Sequence, residues 1–457
     1  MPTSKVKSRR RSSAVSTVLI VLLGAGLLIT GCAKPALNEP LGKWHPERWR
    51  GTQSQAVGSR STKQLVLLAF SGGGTRAAAF SYGVLQELAQ TQIQTESGGR
   101  TLLDEVDMIS SVSGGSFTAA YYGLYGYRIF NDYEKRFLRR NVSADLLLRC
   151  ARPDIAIKLL SPNYGKADMA ATYYDKHLFE GATMADLRRP GGPLVIMNST
   201  DLGTGFRFVF NRSHFDLICA DLDSYPVSRA VTASSAVPVL FSPILLKNYA
   251  GQCSYETPAW MKEGMHSQTS AIRRVGAREM YAYLDPEKRP WLHLVDGGIA
   301  DNLGLRSFYD TFVLAGSPQQ ALEAMGHGDV EKIVIISVNS AAQHEAKWPR
   351  KRSAPSLFKT LNSVSGVQID RYTMDTIDIV SYAFSQWAKQ LSTTERPVSF
   401  EFVEVSFEGI QDEQERTYLN SIGTNLGLSD EKIDHLIAAG RQVLRESSAL
   451  KAYLANP

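Results

Sequence analysis

The stretch Gln64-Leu65-Val66-Leu67-Leu68-Ala69-Phe70 is a nearly continuous apolar run, and Ser71-Gly72-Gly73-Gly74-Thr75-Arg76-Ala77 follows it directly. An apolar run of this length without polar alternation is typical of a strand that is buried on both faces of a parallel sheet. After the glycines, Phe80, Gly83, Val84 and Leu88 share one face of a predicted helix. The order of buried strand, glycine turn and helix predicts an α/β unit.

Further strands are predicted along the chain at 106–112, 194–197 and 332–338, where short apolar runs recur between helical patterns. The run Phe400–Phe407 changes its alternation phase, which predicts a half-buried, bulged strand at a sheet edge. A last helix is predicted to begin after Ser429, with Asp430 and Glu431 in its first turn. Together these patterns predict an α/β fold with a mainly parallel sheet flanked by helices.

The N-terminal segment has the pattern of an export signal. Five cations precede an apolar run of 16 residues from Ala14 to Ile29, which is shorter than a bilayer-spanning helix needs. Thr30-Gly31-Cys32 follows and resembles a bacterial lipobox, which implies acylation of Cys32 and cleavage before it. Residue 33 is Ala rather than Asp, and the resemblance then implies outer-membrane sorting, facing the periplasm.

The net charge of +5 comes entirely from this signal, because the remaining chain carries equal numbers of basic and acidic residues. Nucleic acid is therefore not an expected partner. Of Cys150, Cys219 and Cys253, the pair Cys219–Cys253 closes the shortest loop and is the preferred disulfide, although the sequence does not assign it. No spacing of Cys or His predicts a metal site.

The glycine turn at 72–74 is suited to bind an anion, because successive backbone N–H groups and a helix N-terminus can converge there. The anion could be the oxyanion of an acyl-transfer reaction. It could also be a pyrophosphate, because Gly72-x-Gly74-x-x-Ala77 fits the dinucleotide-binding fingerprint.

A serine on a predicted sharp turn forms a second constellation. Ser111-Val112-Ser113-Gly114-Gly115 lies between a strand and a helix and resembles the nucleophile elbow G-x-S-x-G. In this register Ser113 is the nucleophile, and Ser111 stands where the motif has its first glycine. The alternative is a Ser/Gly-rich connecting loop.

Asp296-Gly297-Gly298 ends the predicted strand Trp291–Val295. A carboxylate at a strand end can face a site at the edge of the sheet and accept a serine proton without a histidine. An ordinary Asp-Gly turn is the alternative. Asp301 and Asn302 are a nearby alternative pair.

The three constellations, in this order, resemble the patatin-like phospholipase family. The stretches 198–203 (NSTDLG) and 233–243 (ASSAVPVLFSP) agree with it, and the resemblance covers roughly 64–305. It implies hydrolysis of membrane-lipid esters without a cofactor. Ser113 is implied as nucleophile, Asp296 as base, Gly72, Gly73 and Gly74 as the oxyanion hole, and Arg76 as a brace for the turn.

The predicted organisation is a signal peptide at 1–31, a tether at 32–62 and a hydrolase domain at 63–457. The domain has an insertion at about 244–290 and a C-terminal extension at about 341–457. The insertion is rich in aromatic residues and methionine, including Tyr255, Trp260 and Met261, and is either a lid over the acyl site or a structural unit with its own core. The sequence leaves open the lipid class that is cleaved and the oligomeric state.

Three other functions compete with this interpretation. A dinucleotide-dependent oxidoreductase explains the glycine turn but neither Ser113 nor Asp296. A histidine-dependent triad would need one of His327, His344 or His435, none of which lies in a recognisable context. A catalytically silent, lipid-binding lipoprotein of the same fold is suggested only by Ser111.

Overall fold

The run Gln64–Phe70 is a strand near the middle of an eight-stranded sheet in the computed structural model, which describes residues 37–46, 60–95, 98–268, 270–343, 352 and 356–455. The strands of the chain are β1 Gln64–Phe70, β2 Gln92–Thr95, β3 Gly98–Thr101, β4 Val106–Val112, β5 Leu194–Asp201, β6 Phe206–Val209, β7 Ile244–Lys247, β8 Trp291–Asp296, β9 Lys332–Asn339 and β10 Ser399–Ser406. In the sheet they follow the order β10-β9-β1-β4-β5-β8-β7, with β6 also paired to β5, while β2 and β3 form a separate hairpin.

The five strands from β10 to β5 run parallel, whereas β8 and β6 run antiparallel to β5. The predicted α/β fold with a mainly parallel sheet flanked by helices is therefore confirmed. The sequence pattern predicts that Asp296 faces the site from the end of a strand at the edge of a mainly parallel sheet, but β8 runs antiparallel to β5. Asp296 at the end of β8 instead lies opposite Ser199 of β5.

Helices cover both faces of the sheet. They are α1 Thr75–Gln90, α2 Gly114–Tyr125, α3 Ile129–Tyr133, α4 Val142–Cys150, α5 Pro153–Lys158, α6 Lys166–Tyr174, α7 Arg212–Leu217, α8 Val227–Ser234, α9 Ala259–Gly264, α10 Ala271–Ala282, α11 Gly298–Asp301, α12 Arg306–Ala315, α13 Pro318–Met325, α14 Leu357–Leu391, α15 Glu413–Ser421, α16 Asp430–Glu446 and α17 Ser448–Ala455. One face of the sheet packs on a core with α1, α2, α6, α8 and α16, and the other on a core with α12, α13 and α14.

The C-terminal predictions hold in large part. The run at 400–407 forms the edge strand β10, but its parallel register with β9 continues without a shift, so no bulge is present there. Helix α16 begins after Ser429 and buries its predicted stripe, including Ile433, Leu436 and Gly440. The apolar alternation changes at 402–403 because burial changes along the strand: residues 399–402 are half-buried, whereas Val403 and Val405 are buried and Glu404 is exposed.

The insertion at 244–290 has buried side chains of its own. Met261, Met280 and Tyr283 are all buried, and the Tyr283 hydroxyl donates a hydrogen bond to Asp201 Oδ2 at 3.1 Å. Strand β7 of the insertion also extends the main sheet through β8. These contacts favour the interpretation as a structural unit over that of a lid.

The disulfide Cys219–Cys253 is present, as preferred from the sequence, and Cys150 is a free thiol. Part of the predicted tether packs beside it, because Leu41 N–H donates to Cys219 O at 2.7 Å and Trp44 N–H donates to Cys253 O at 2.8 Å. The predicted signal peptide and Cys32 lie outside the described residues. Within the described ranges, no helix is long and apolar enough to cross a membrane.

Candidate active site

Ser113 lies on a strained turn between β4 and α2. Its backbone has φ 50° and ψ −118°, a conformation that residues with a Cβ rarely adopt and that persists only when its surroundings enforce it. Gly114 allows the close approach that this turn requires, because a Cβ atom there would overlap the carbonyl oxygen of Gly74. The Ser113 side chain is thus held at the N-terminus of α2, where negative charge is favoured.

Asp296 reaches the same point from the other side of β5. Val112, the last residue of β4, lies opposite Asn198 of β5, and the next residue of β5, Ser199, lies opposite Asp296 of β8. The residue that follows β4 and the last residue of β8 are therefore at the same height along β5. The Ser113 hydroxyl donates to Asp296 Oδ2 at 2.9 Å. Pairing across one intervening strand therefore brings together two residues that are 183 positions apart.

The Asp296 carboxylate is buried and receives few hydrogen bonds. Burial raises its pKa to about 6, although the Gly298 N–H, at 2.8 Å from Oδ1, and the Ser113 hydroxyl both act to lower it. Such a carboxylate is ionised at neutral pH and is more basic than an exposed one. A buried carboxylate with this pKa is suited to accept a proton.

The glycine turn faces Ser113, but its three glycines differ. Gly72 N–H donates to the Asn302 carbonyl at 2.9 Å, so this expected oxyanion donor already has an acceptor in the structure. The N–H groups of Gly73 and Gly74 donate to no acceptor among the described residues. Their positive φ angles, 144° and 61°, are the reason that glycine is required at both positions.

Arg76 ties the first turn of α1 to the C-terminal part of the chain. Its Nη1 donates to Ile422 O at 2.7 Å, and burial lowers its pKa to about 10. Beside it, Thr75 N–H donates to Asn425 O at 2.8 Å. The segment around 422–425 thus closes over the outer side of the glycine turn.

Ser111, which replaces the first glycine of the elbow motif, has a satisfied hydroxyl. It donates to Ile196 O at 3.0 Å and accepts from Ser116, which also contacts the hydroxyl of Ser234. Ser234 accepts a hydrogen bond from Ser113 N–H at 2.9 Å and donates to Asn198 O at 2.6 Å. Sequence reasoning did not assign a role to Ser234, although the stretch at 233–243 contains it.

The residues that the sequence offered as alternatives to Asp296 form other hydrogen bonds or lie outside the described ranges. Asp301 accepts from the N–H groups of Leu303, Gly304 and Arg306, which makes it a cap for the start of α12. Of the candidate histidines, His327 bonds to Thr62 O and lies beside Asp107, and His435 pairs with Glu415. His344 lies outside the described residues. No described histidine hydrogen-bonds to Ser113 or Asp296.

Neither a metal site nor a cavity competes with the Ser113–Asp296 pair. The described part of the chain contains no group of three His, Cys, Asp or Glu side chains that could hold a metal ion. A cavity of about 340 Å³ lies between α10 and α12, with Val275, Arg306 and Tyr372 in its wall, but neither Ser113 nor Asp296 lines it. The wall of this cavity also includes His214 and Asp310, but no described serine or cysteine lines it, and the Asp310 carboxylate forms an ion pair with Arg207.

Comparison with known proteins gives one family and several distant structures. The profile of the family described as patatin-like phospholipase matches residues 68–309. The sequence matches no curated protein.

Solved structures that the chain resembles include human GIVD cytosolic phospholipase A2, VipD from Legionella pneumophila and the complex of SpcU with ExoU from Pseudomonas aeruginosa. Their sequence identities are 13%, 12% and 16%, and their TM-scores 0.44, 0.32 and 0.24. The alignments cover 91%, 86% and 51% of this chain and 66%, 67% and 53% of the other chains. The chain thus spans about two thirds of the length of the human protein, and at these scores the likenesses carry no argument about function.

Proposed function

Because the chain belongs to the patatin-like phospholipase family, a family of lipid acyl hydrolases, we propose that it cleaves ester bonds of membrane lipids with Ser113 and Asp296 as its catalytic dyad. The observation that carries this proposal is the 2.9 Å hydrogen bond from a serine on a strained turn to a buried carboxylate. The proposal goes beyond the family assignment because it names the residues and the order of their proton transfers.

In the first half of the reaction, Ser113 Oγ attacks the ester carbonyl while its proton passes to Asp296 Oδ2. The carbonyl oxygen becomes an oxyanion, which the N–H groups of Gly73 and Gly74 stabilise in this proposal; the support is that neither N–H has an acceptor among the described residues. The intermediate then collapses, and the leaving alcohol takes the proton from Asp296.

In the second half, water replaces the alcohol. Asp296 accepts a proton from this water as it attacks the acyl-serine, the same N–H groups stabilise the second oxyanion, and Ser113 regains its proton as the fatty acid leaves. A single carboxylate thus acts as base and then as acid in each half, and no histidine is needed.

The competing functions have less support. Ser111 is accommodated by hydrogen bonds, so its presence gives no reason to infer a silent site. A dinucleotide would need space over the glycine turn. There, a Cβ on Gly72 would lie 3.3 Å from the Ser113 Cβ, so the turn packs directly against the elbow.

We further propose that the protein is a lipoprotein of the bacterial envelope, anchored through Cys32 in the outer membrane and facing the periplasm. The support is the order of cations, apolar run and Thr30-Gly31-Cys32.

The dyad is tested with two single variants and their combination. Ser113→Ala and Asp296→Asn are each expected to lower kcat/KM for a lipid ester by about a thousandfold or more. The double variant should be little worse, because the two residues act as one unit. Ser113→Ala should also abolish labelling by a fluorophosphonate probe.

Ser235→Ala is the matched control, because within the described ranges the Ser235 hydroxyl bonds only to the carbonyls of Val231 and Thr232 in the helix that precedes it. It should keep both labelling and turnover. Persistent labelling or full activity in Ser113→Ala would exclude the mechanism, and multiplicative losses in the double variant would mean that the two residues act independently.

A further inference from the structure

A loop of four exposed residues, Val237-Pro238-Val239-Leu240, adjoins the dyad. Val239 is 84% exposed and Leu240 62% exposed. The loop follows Ala236, whose carbonyl accepts the N–H of Asp296 at 3.0 Å. A solvent-exposed apolar loop thus begins at the residue directly after Ala236, whose carbonyl binds the proposed base Asp296.

Helices α4 and α5 and the turn that follows α5 present a second group of exposed apolar side chains. Leu147, Leu148 and Leu160 are each about 70% exposed, with values of 72%, 70% and 71%, and Ile157 is 39% exposed. The same helices bury Leu146 and Ile155 in the core beneath them. The two helices therefore have one apolar side packed inward and another that faces out of the protein.

Two contacts connect these helices to the surroundings of the dyad. Ser242 Oγ, two residues after the apolar loop, accepts a hydrogen bond at 3.2 Å from the N–H of Ala167 in the first turn of α6, the helix that follows α5. At the other end, Ser143 N–H of α4 donates to Leu426 O at 3.0 Å, and the preceding carbonyl of Asn425 binds Thr75 in the glycine turn. The helices and the loop thus border the same site.

The segment carries an excess of cations, although Arg139, Arg140 and Arg152 form ion pairs with nearby carboxylates. Between positions 139 and 166 it carries six cations and two carboxylates, namely Arg139, Arg140, Arg149, Arg152, Lys158 and Lys166 against Asp145 and Asp154. Lys158 and Lys166 are exposed and form no ion pair with any described residue. Outside the export signal the chain as a whole has equal numbers of basic and acidic residues, so the excess of cations in this segment is local and is offset elsewhere in the chain.

We propose that loop 237–240 together with α4 and α5, named here the docking face, binds the surface of a bilayer that contains anionic lipids. Exposed leucines and valines enter the interface while the surrounding cations contact anionic headgroups. The inference rests on the proposed function, because the proposed substrate is a lipid ester that lies in a bilayer. The binding itself is measurable without turnover.

A fluorescent probe tests whether the docking face contacts lipid. Leu148→Cys is made with Cys150→Ser, labelled with an environment-sensitive dye, and the full-length protein is reconstituted into vesicles with and without anionic lipid. The dye should shift to the blue with anionic vesicles. Ala324→Cys, in the same background, is the control and should show no shift, because α13 packs on the core at the other face of the sheet from α4 and α5.

Turnover gives a second test. Leu148→Asp combined with Val239→Asp is expected to lower hydrolysis of lipid in anionic vesicles by about tenfold or more, because charge is expelled from the interface. Hydrolysis of a water-soluble short-chain ester should change less than about twofold, since neither side chain touches the dyad. Tyr382→Asp, at a 68% exposed position of α14 on the other side of the sheet, should affect neither.

The outcomes separate the two proposals. If the native protein hydrolyses neither substrate, the proposed function fails, while the dye shift still decides the docking face. An unshifted dye, or unchanged vesicle turnover in the double variant, overturns the docking face alone. The docking face is also overturned if Tyr382→Asp lowers vesicle turnover as much as the double variant does. It is overturned as well if light scattering shows that the Leu148 and Val239 variants act only by converting a dimer into monomers.

Discussion

At the scale of single residues, the pKa of Asp296 links the geometry of the site to a measurable pH dependence. Burial raises this pKa to about 6. Below that pH the carboxyl is protonated and cannot accept the Ser113 proton. We therefore expect kcat/KM for a soluble ester to fall as the pH drops through about 6 and to be level above it.

Initial rates over the range of about pH 4.5–8.5 check this expectation. A raised folded-state pKa means that protonation of Asp296 favours the folded chain, so titration of this group does not itself unfold the protein as the pH falls. Circular dichroism over the same range separates lost activity from lost structure. A midpoint near 4, the value of an exposed carboxyl, would contradict a desolvated base.

The sequence located Ser113 and Asp296 because each follows a recognisable strand and precedes glycines. The same reasoning did not anticipate that Gly72 N–H binds Asn302 O, and it did not identify Ser234, which binds Ser113 N–H. Both facts depend on contacts with distant parts of the chain. Local spacing identifies which residues lie in a turn. It does not show which of their polar groups form hydrogen bonds with residues that are distant in the sequence.

At the scale of elements, apolar runs correctly indicated the buried strands and helix α16, while the antiparallel direction of β8 was not foreseen. A strand buried on both faces has the same apolar pattern in either direction, so its direction depends on the connection. The 35-residue helix α14 was also not predicted, since its apolar positions are spread among many polar ones.

The crossing of α1 and α16 allows a prediction at this scale. A Cβ at Gly83 of α1 would overlap the carbonyl of Ile437, and Gly440 of α16 approaches Phe80 O in the same way. Gly83→Ala is therefore expected to lower the stability by about 1–3 kcal/mol, because rigid backbone must move. Differential scanning calorimetry should show a lower unfolding temperature.

The matched control is Gly366→Ala in helix α14, where a new Cβ would meet nothing within 4 Å. There the higher helix propensity of alanine should raise stability slightly, by about 0.5–1 kcal/mol. Equal effects of the two substitutions would show that the α1–α16 contact is not tight.

At the scale of the whole molecule, the part of the chain beyond the family match completes both the fold and the site. Residues 68–309 contain the dyad, yet β9 pairs with β1 and β10 with β9, and Ile422 and Asn425 bind the first turn of α1. The position of the glycine turn thus depends on residues more than 300 positions away, which no local motif in the sequence indicates.

The proposed anchor also has a consequence at this scale. Leu37 begins the segment that docks beside Cys219–Cys253, and covalent geometry limits the five residues from Cys32 to about 18 Å. A lipid on Cys32 would therefore hold this side of the domain close to the bilayer. Cys32→Ser should abolish incorporation of labelled palmitate, because it removes the thiol to which the proposed lipid attaches. Cys150→Ser removes the other free thiol and should leave incorporation intact. Palmitate that persists in Cys32→Ser, or disappears in Cys150→Ser, would place the modification elsewhere and leave the envelope location without its support.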